Sequence, residues 1–280
     1  MTGQIRNAMT VDVEDYFQVG AFEKDISRAD WDTLPCRVEQ NTDKILQMFD
    51  DAGVKATFFT LGWVAERYPA LVRRIVEEGH ELASHGMAHW RVTDQDRDVF
   101  REDVLRSKKL LEDVGGCPIR GYRAASFSIG EKNLWALDVL EEAGFDYSSS
   151  IYPIRHDHYG MPDAPRFSFM PIDGRRFLEM PVTTVDIAGR KIPCGGGGYF
   201  RLLPYFISKW AMSRVNSRDE ESCIFYFHPW EIDPDQPRQN QAGMKSRFRH
   251  YTNLDVMEKK LRRVLADFSW GRMDEIFLNN

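Results

Sequence analysis

The 280-residue chain lacks most of the features that fix a class at sight. Its four cysteines, Cys36, Cys117, Cys194 and Cys223, lie far apart and form no C-x-x-C pair. That excludes a zinc ribbon, a thioredoxin-like motif and a disulfide scaffold, and predicts buried thiols in a reducing compartment. There is no positive excess: 37 Lys and Arg stand against 43 Asp and Glu, a formal charge of -6. No global basic field exists to hold a nucleic-acid backbone or an anionic membrane, although local patches remain open. No apolar run reaches membrane-spanning length, and Gln4, Arg6 and Asn7 break the stretch from Met1 to Ala8 where a secretory signal needs a continuous apolar core. A cytoplasmic protein without a transmembrane segment is the expectation.

With 42% hydrophobic and 29% charged residues, the composition is that of an ordinary globular chain with a sizeable core. The first half alternates short apolar runs with longer amphipathic ones. Strands are predicted at Ala8 to Val13, Lys55 to Leu61, Glu81 to Ser84, Ile119 to Tyr122 and from Phe145. Between them helices are predicted over Val38 to Asp51 with Gly53 closing it, Pro69 to Glu78, a charged stretch capped by Thr93 or Asp94 and running to Asp113, and Glu131 to Ala143. Such βαβ alternation implies an α/β fold with a parallel sheet or barrel and chemistry at the C-terminal strand ends.

The second half is less regular. Tyr152 to Asp173 is rich in Pro, His, Asp and Arg, and reads as a functional loop whose His156, Asp157, His158 and Tyr159 can wall a cleft, with a solvated loop and, behind it, a second metal pair of His156 and His158 as the other readings. A tetraglycine, Gly195 to Gly198, precedes a predicted helix over Leu203 to Val215. A strand at Cys223 to Phe227, a loop from Asp233 to His250 and a closing helix from Asn253, its cap, to Asp267 complete the reading.

Titratable residues follow four strands directly. Asp12, Glu14 and Asp15 follow M-T-V; burying Asp12 between Val11 and Val13 demands a cation or a basic partner. His85 and His89, spaced i, i+4 in S-H-G-M-A-H, can face one divalent ion, which a carboxylate would complete. Arg123 after I-R-G-Y can hold a carboxylate bidentately, and His228 in F-H-P-W-E can serve as a general acid. Each has a plain structural alternative; their recurrence at strand ends favours one shared rim.

D-V-E-D, S-H-G-M-A-H, G-Y-R-A-A-S-F, G-F-D-Y-S-S-S-I-Y-P and F-H-P-W-E occur in the order seen in polysaccharide deacetylases with the NodB homology domain. The chain resembles that family, and with C-G-G-G-G-Y-F-R-L-L-P-Y it looks most like the subgroup associated with exopolysaccharide and exosortase systems. The resemblance implies one domain over 1–280, a distorted (β/α) barrel of about seven repeats, completed from about 150 onward by a subgroup-specific part. It implies metal-dependent hydrolysis of N-acetyl groups on an oligosaccharide or polysaccharide, with zinc foremost and cobalt, nickel, manganese or iron as alternatives. By position Asp12 matches the base, Arg123 the arginine that holds it, His228 the acid, and His85 and His89 the metal histidines. Val13 stands where the common form has a second aspartate, so the metal carboxylate is Glu14 or Asp15; strand alternation favours Glu14. Gly86 replaces the Ser or Thr that often follows the first histidine. Tyr16, Phe127, Tyr199 and Trp230 are the substrate-binding candidates, with Phe17, Trp90 and Phe200 nearby. The rival readings are an amide hydrolase acting on a small linear or cyclic amide, and a catalytically silent carbohydrate-binding protein.

Overall fold

A computed structural model describes residues 5–156 and 159–278. Its main sheet is parallel throughout. Next to one end of the strand order lies β1 (Arg6–Val13), buried along seven of its eight positions. From β1 the sheet runs through β2 (Thr57–Thr60), β3 (Glu81–Ser84), β4 (Gly121–Tyr122) and β5 (Tyr147–Ser148) to β6 (Leu178–Glu179). A separate antiparallel hairpin joins β7 (Thr184–Ile187) to β8 (Arg190–Pro193). Two late strands, β9 (Ile224–Phe227) and β10 (Ser269–Gly271), return to pair with β1. The result is the distorted (β/α) barrel expected from the sequence: strands buried on both faces, covered by helices.

The helices of the first half follow local signals. The chain leaves α1 (Val38–Ala52) at Gly53, whose φ of 63° needs glycine. Pro69 opens α3 (Pro69–Glu77) where its missing N–H costs nothing. A short α2 (Gly62–Arg67) precedes it, unforeseen in the sequence. Asp96 caps α4 (Arg97–Gly115), its side chain accepting from the Asp98 and Val99 amides, while Thr93 and Asp94 lie in a preceding 3-10 turn. Next comes α5 (Trp135–Glu142).

The second half departs further from its sequence reading. The tetraglycine enters α6 (Gly197–Leu202), followed by α7 (Tyr205–Arg214). The expected loop from Asp233 contains α8 (Met244–Tyr251), and after α9 (Leu254–Asp267) the chain continues into β10 and α10 (Met273–Phe277). Asn253 does not cap α9: its backbone is left-handed and its amide donates to the Arg201 carbonyl. Cys194 and Cys223 are buried as expected, but Cys36 and Cys117 are only partly so; all four are free thiols. Asp157 and His158, half of the predicted loop cluster, lie outside the described residues. Among those described, no helix is long and apolar enough to cross a membrane.

Candidate active site

The carboxyl ends of β1, β3, β4 and β9 carry the site. Asp12 and Glu14 are both only 2% exposed. Past Val13 the chain folds back, the Glu14 amide donating to the Asp12 carbonyl at 3.0 Å. That tight bend swings Glu14 toward the His85–His89 loop. Asp15 is turned away: its carboxylate accepts from the Arg37 and Val38 amides at 2.6 and 2.8 Å, anchoring the start of α1. Burial raises the Asp15 pKa to about 6 against these amide contacts. Of the two carboxylates left open by the sequence, the structure brings Glu14 to the histidines.

Glu14 Oε2 lies 2.9 Å from His89 Nε2 and 3.9 Å from His85 Nε2, and the donor atoms of the three residues all fall within 4.8 Å of one another. His85 Nδ1 meets the Arg123 carbonyl at 2.8 Å, which assigns its proton to Nδ1 and leaves the Nε2 lone pair facing Glu14. Burial is the largest influence on His85 and takes its pKa down to about 4, so the ring is a neutral ligand near pH 7. Burial works to raise Glu14, but His89, His228 and His85 outweigh it and bring it down to about 2. Two imidazole nitrogens and a buried carboxylate oxygen lacking a well-aligned donor form a donor set suited to a divalent cation such as zinc.

The loop that presents these histidines is held from both sides. Gly86, at φ 77°, lies so close to Asp103 that a Cβ would stand 2.9 Å from its Oδ2, and that same oxygen accepts from the Met87 amide at 3.1 Å. A side chain with a hydroxyl at this position would collide with Asp103 and strain the backbone. From the other side Arg28 donates through Nε to the Ala88 carbonyl and through Nη2 to the His89 carbonyl, both at 2.8 Å. The grip restrains His89, whose φ of 53° is unusual for a residue other than glycine.

Arg123 is fully buried and reads as the floor of the cleft. Its Nη1 donates to Asp12 Oδ1 at 2.6 Å and to Thr10 Oγ1 at 2.7 Å, while Nε and Nη2 hold the Ser149 carbonyl and hydroxyl. The guanidinium lies 4.1 Å from the Phe59 ring centroid, an aromatic face that suits a desolvated cation. With Oδ1 tied down, Asp12 Oδ2 is left facing His228, 3.9 Å from its Nε2.

His228 keeps 18% of its side chain exposed, the access that a proton donor needs. Its Nδ1 pairs with Glu231 Oε1 at 2.6 Å, and the fully buried Glu231 is held through Oε2 by Arg201 Nε at 2.7 Å. Burial pulls the His228 pKa down, but Glu14, Glu231 and Asp12 together lift it to about 9, so Nε2 carries a proton near neutrality. Arg201 spends its other nitrogens on the carbonyls of Arg249, His250 and Thr252. The tetraglycine makes this possible: a Cβ at Gly196 would stand 2.0 Å from the Tyr226 carbonyl oxygen, so only glycine lets α6 approach β9 closely enough. Glu231 was visible three residues after His228, but nothing in the sequence paired it with Arg201.

The aromatic candidates divide. Tyr16 is wholly buried in the core, edge-on against Phe17, and cannot meet a substrate here; the bend after Val13 directs it inward. Phe17 and Phe200 are also core. Phe127 packs on Tyr152 and Tyr226 beside Arg123, so it forms cleft wall. Trp230 stacks between His228 and His250 and donates to Glu14 Oε1 at 3.2 Å, an orienting contact. Tyr199 is half-buried, and Trp90, next to His89, is exposed.

Comparison with known proteins agrees with this architecture. Residues 24–148 match the family model described as polysaccharide deacetylase, and residues 149–278 match a domain of unknown function, DUF3473. Over that first segment the chain is similar to the polysaccharide deacetylase family. Its site draws on both matched segments, with His85, His89 and Arg123 in the first and His228 and Glu231 in the second. A Bacillus cereus peptidoglycan-N-acetylglucosamine deacetylase is 34% identical over 98 residues, 35% of this chain and 36% of that protein. The chain spans about a third to a half of the length of the first curated relatives it matches. A Mycobacterium smegmatis structure named for the same family superposes at a TM-score of 0.61 and 20% identity, over 99% of this chain and 91% of that one. The allantoinase PuuE gives the same TM-score at 17% identity, over 99% of this chain and 90% of that one. At these identities the likeness shows the fold alone.

Proposed function

We propose that this chain is a metal-dependent deacetylase that hydrolyses N-acetyl groups on a sugar oligomer or polymer, releasing acetate and an amino sugar. The observation that carries the reading is the convergence, at one set of strand ends, of a Glu14–His85–His89 donor set, the Asp12–Arg123 pair and the His228–Glu231 pair. Glu14, His85 and His89 would hold the cation. When bound, a zinc ion at such a site supplies Lewis acidity toward the acetamide carbonyl and lowers the pKa of water.

The chain's own residues supply the proton transfers. Asp12, fixed through Oδ1 by Arg123, offers Oδ2 as the base that takes a proton from the attacking water. His228, with Nδ1 engaged by Glu231, delivers its Nε2 proton to the nitrogen as the C–N bond breaks. That delivery matters because an unprotonated amide nitrogen is a prohibitive leaving group. Trp230 holds Glu14 in place, and the exposed Trp90 and half-buried Tyr199 offer ring faces to sugar C–H groups.

The named activity of the Bacillus cereus relative supports an N-acetylated sugar as substrate class. The exopolysaccharide setting rests on the likeness of the C-G-G-G-G-Y-F-R-L-L-P-Y tract to that subgroup. The test is acetate release from N-acetylated chitooligosaccharides and exopolysaccharide, run beside small linear and cyclic amides with several divalent metals. Acetate from the sugars supports the reading. Ammonia or ring-opened product from the small amides alone overturns it, as does sugar binding with no hydrolysis under any metal.

A further inference from the structure

Acidic residues outnumber basic ones in this chain, yet two long tracts contain no acid at all. From Ile187 to Arg218 there is no Asp or Glu, while Arg190, Lys191, Arg201, Lys209, Arg214 and Arg218 are present. From Gln236 to Leu254 there is again none, with Arg238, Lys245, Arg247 and Arg249. Most of the exposed large apolar side chains among the described residues sit in these same two tracts. On α7, Phe206 and Trp210 are one turn apart on one face and 70% and 49% exposed; on α8, Met244 and Phe248 are likewise one turn apart and 86% and 63% exposed. Ile187 and Ile192 of the β7–β8 hairpin face Trp210 across an apolar groove that also takes in Leu203 and Ile207. The two tracts meet at Arg201, which binds the carbonyls at the end of α8 from its place in α6.

We infer that this face docks on the surface of an anionic lipid bilayer. Exposed Trp, Phe, Met and Ile side chains ringed by Arg and Lys match the interfacial layer of a membrane, where apolar groups enter the acyl boundary and cations meet lipid phosphates. Of the acids that border the first tract, Asp186 accepts from the Gly189 amide inside its own hairpin turn and Asp219 is paired with Arg166 outside the tract, while Asp267 of α9 takes up Lys209 alone. Lys191 and Arg201 turn inward to carbonyls, leaving Arg190, Arg214 and Arg218 with Arg247 of α8 to face the lipid. A second copy of the chain is a poorer occupant, because a two-fold contact through this face would set cations against cations. A nucleic acid would satisfy the charges but has no use for the aliphatic Ile187, Ile192 and Met244.

The face also adjoins the cleft. His250, at the end of α8, stacks on Trp230, which stacks on His228, with centroid separations of 4.1 and 5.2 Å. Docking through α7 and α8 therefore holds the catalytic opening close to the membrane surface.

The experiment is co-sedimentation of the full chain with phosphatidylcholine vesicles, with and without phosphatidylglycerol, at low and high salt. Phe206→Ser/Trp210→Ser and Met244→Ser/Phe248→Ser are the variants. These side chains are exposed, so thermal midpoints should hold, and acetate release from a soluble chitooligosaccharide should be unchanged, which keeps this test separate from that of the activity. Binding is expected only with phosphatidylglycerol, released by high salt, and about tenfold weaker in each double variant. Absence of vesicle binding, or equal binding by the double variants, overturns the inference. So does a dimer that these substitutions dissociate in a chain that ignores vesicles.

Discussion

Glu231 Oε1 stands 2.6 Å from Nδ1 of His228, and the opposite oxygen of that carboxylate is clamped by a buried arginine, Arg201. The pairing fixes which ring nitrogen faces the cleft. Glu231→Gln keeps the shape but removes one of the negative charges that, with Glu14 and Asp12, keep the imidazole protonated. It should lower kcat by about a hundredfold, within the range a positioned general acid contributes, while bound metal per chain stays at the wild-type value. Elemental analysis beside steady-state kinetics checks both halves of that expectation.

Arg123 and Asp12 form a buried ion pair at 2.6 Å with no exposed guanidinium surface. Removing the cation leaves a carboxylate uncompensated in the core. Arg123→Gln should cost about 3–5 kcal/mol of stability and reduce acetate release to near background. Thermal or chemical unfolding measures the first effect; an unaltered unfolding midpoint would contradict the paired-charge account.

Arg28 holds the carbonyls of Ala88 and His89 and contacts no proposed metal donor. Its removal should loosen a ligand without deleting one. For Arg28→Gln we expect metal affinity to fall by about tenfold, the scale seen for outer contacts of metal ligands, with the fold intact. A competition titration with a chelating dye reads this directly, and unchanged affinity would assign Arg28 to surface packing alone.

Away from the cleft, Glu81 is buried between Thr57 and Tyr147. Burial, then the Asp274 charge, raises its pKa from 4.5 to about 7. In that window the folded state keeps a proton that the unfolded state has released, so this group's contribution falls as pH rises from about 4.5 to 7. Asp274→Asn removes the like charge and leaves Arg272 to favour the ionised form. The decline in Tm across that range should be shallower than in the wild type, as calorimetry at several pH values would reveal.

Much of the fold was legible because its signals are local. Gly53 and Pro69 mark helix ends by their own backbone chemistry, and the apolar run through β1 announces a strand buried on both faces. Four strand ends carrying polar residues suggested a shared rim, and the structure gathers Asp12, Glu14, His85, His89, Arg123 and His228 there. What stayed hidden depends on contacts between distant segments. Glycine is a poor helix former, so a helix beginning within a tetraglycine goes against propensity, and the reason lies in Tyr226, nearly thirty residues on. The Arg201–Glu231 pair and the diversion of Asn253 to the Arg201 carbonyl depend on the same approach. The choice between Glu14 and Asp15 turned on one bend and on two amides at the start of α1.

The central claim is that Glu14, His85 and His89 hold a catalytic cation while His228 donates a proton. It is tested most directly by measuring metal content and acetate release together in the wild type, His85→Ala and His228→Ala. His85→Ala should lose both, whereas His228→Ala should keep its metal and lose turnover. A His85→Ala protein that is fully metal-loaded and fully active would contradict it.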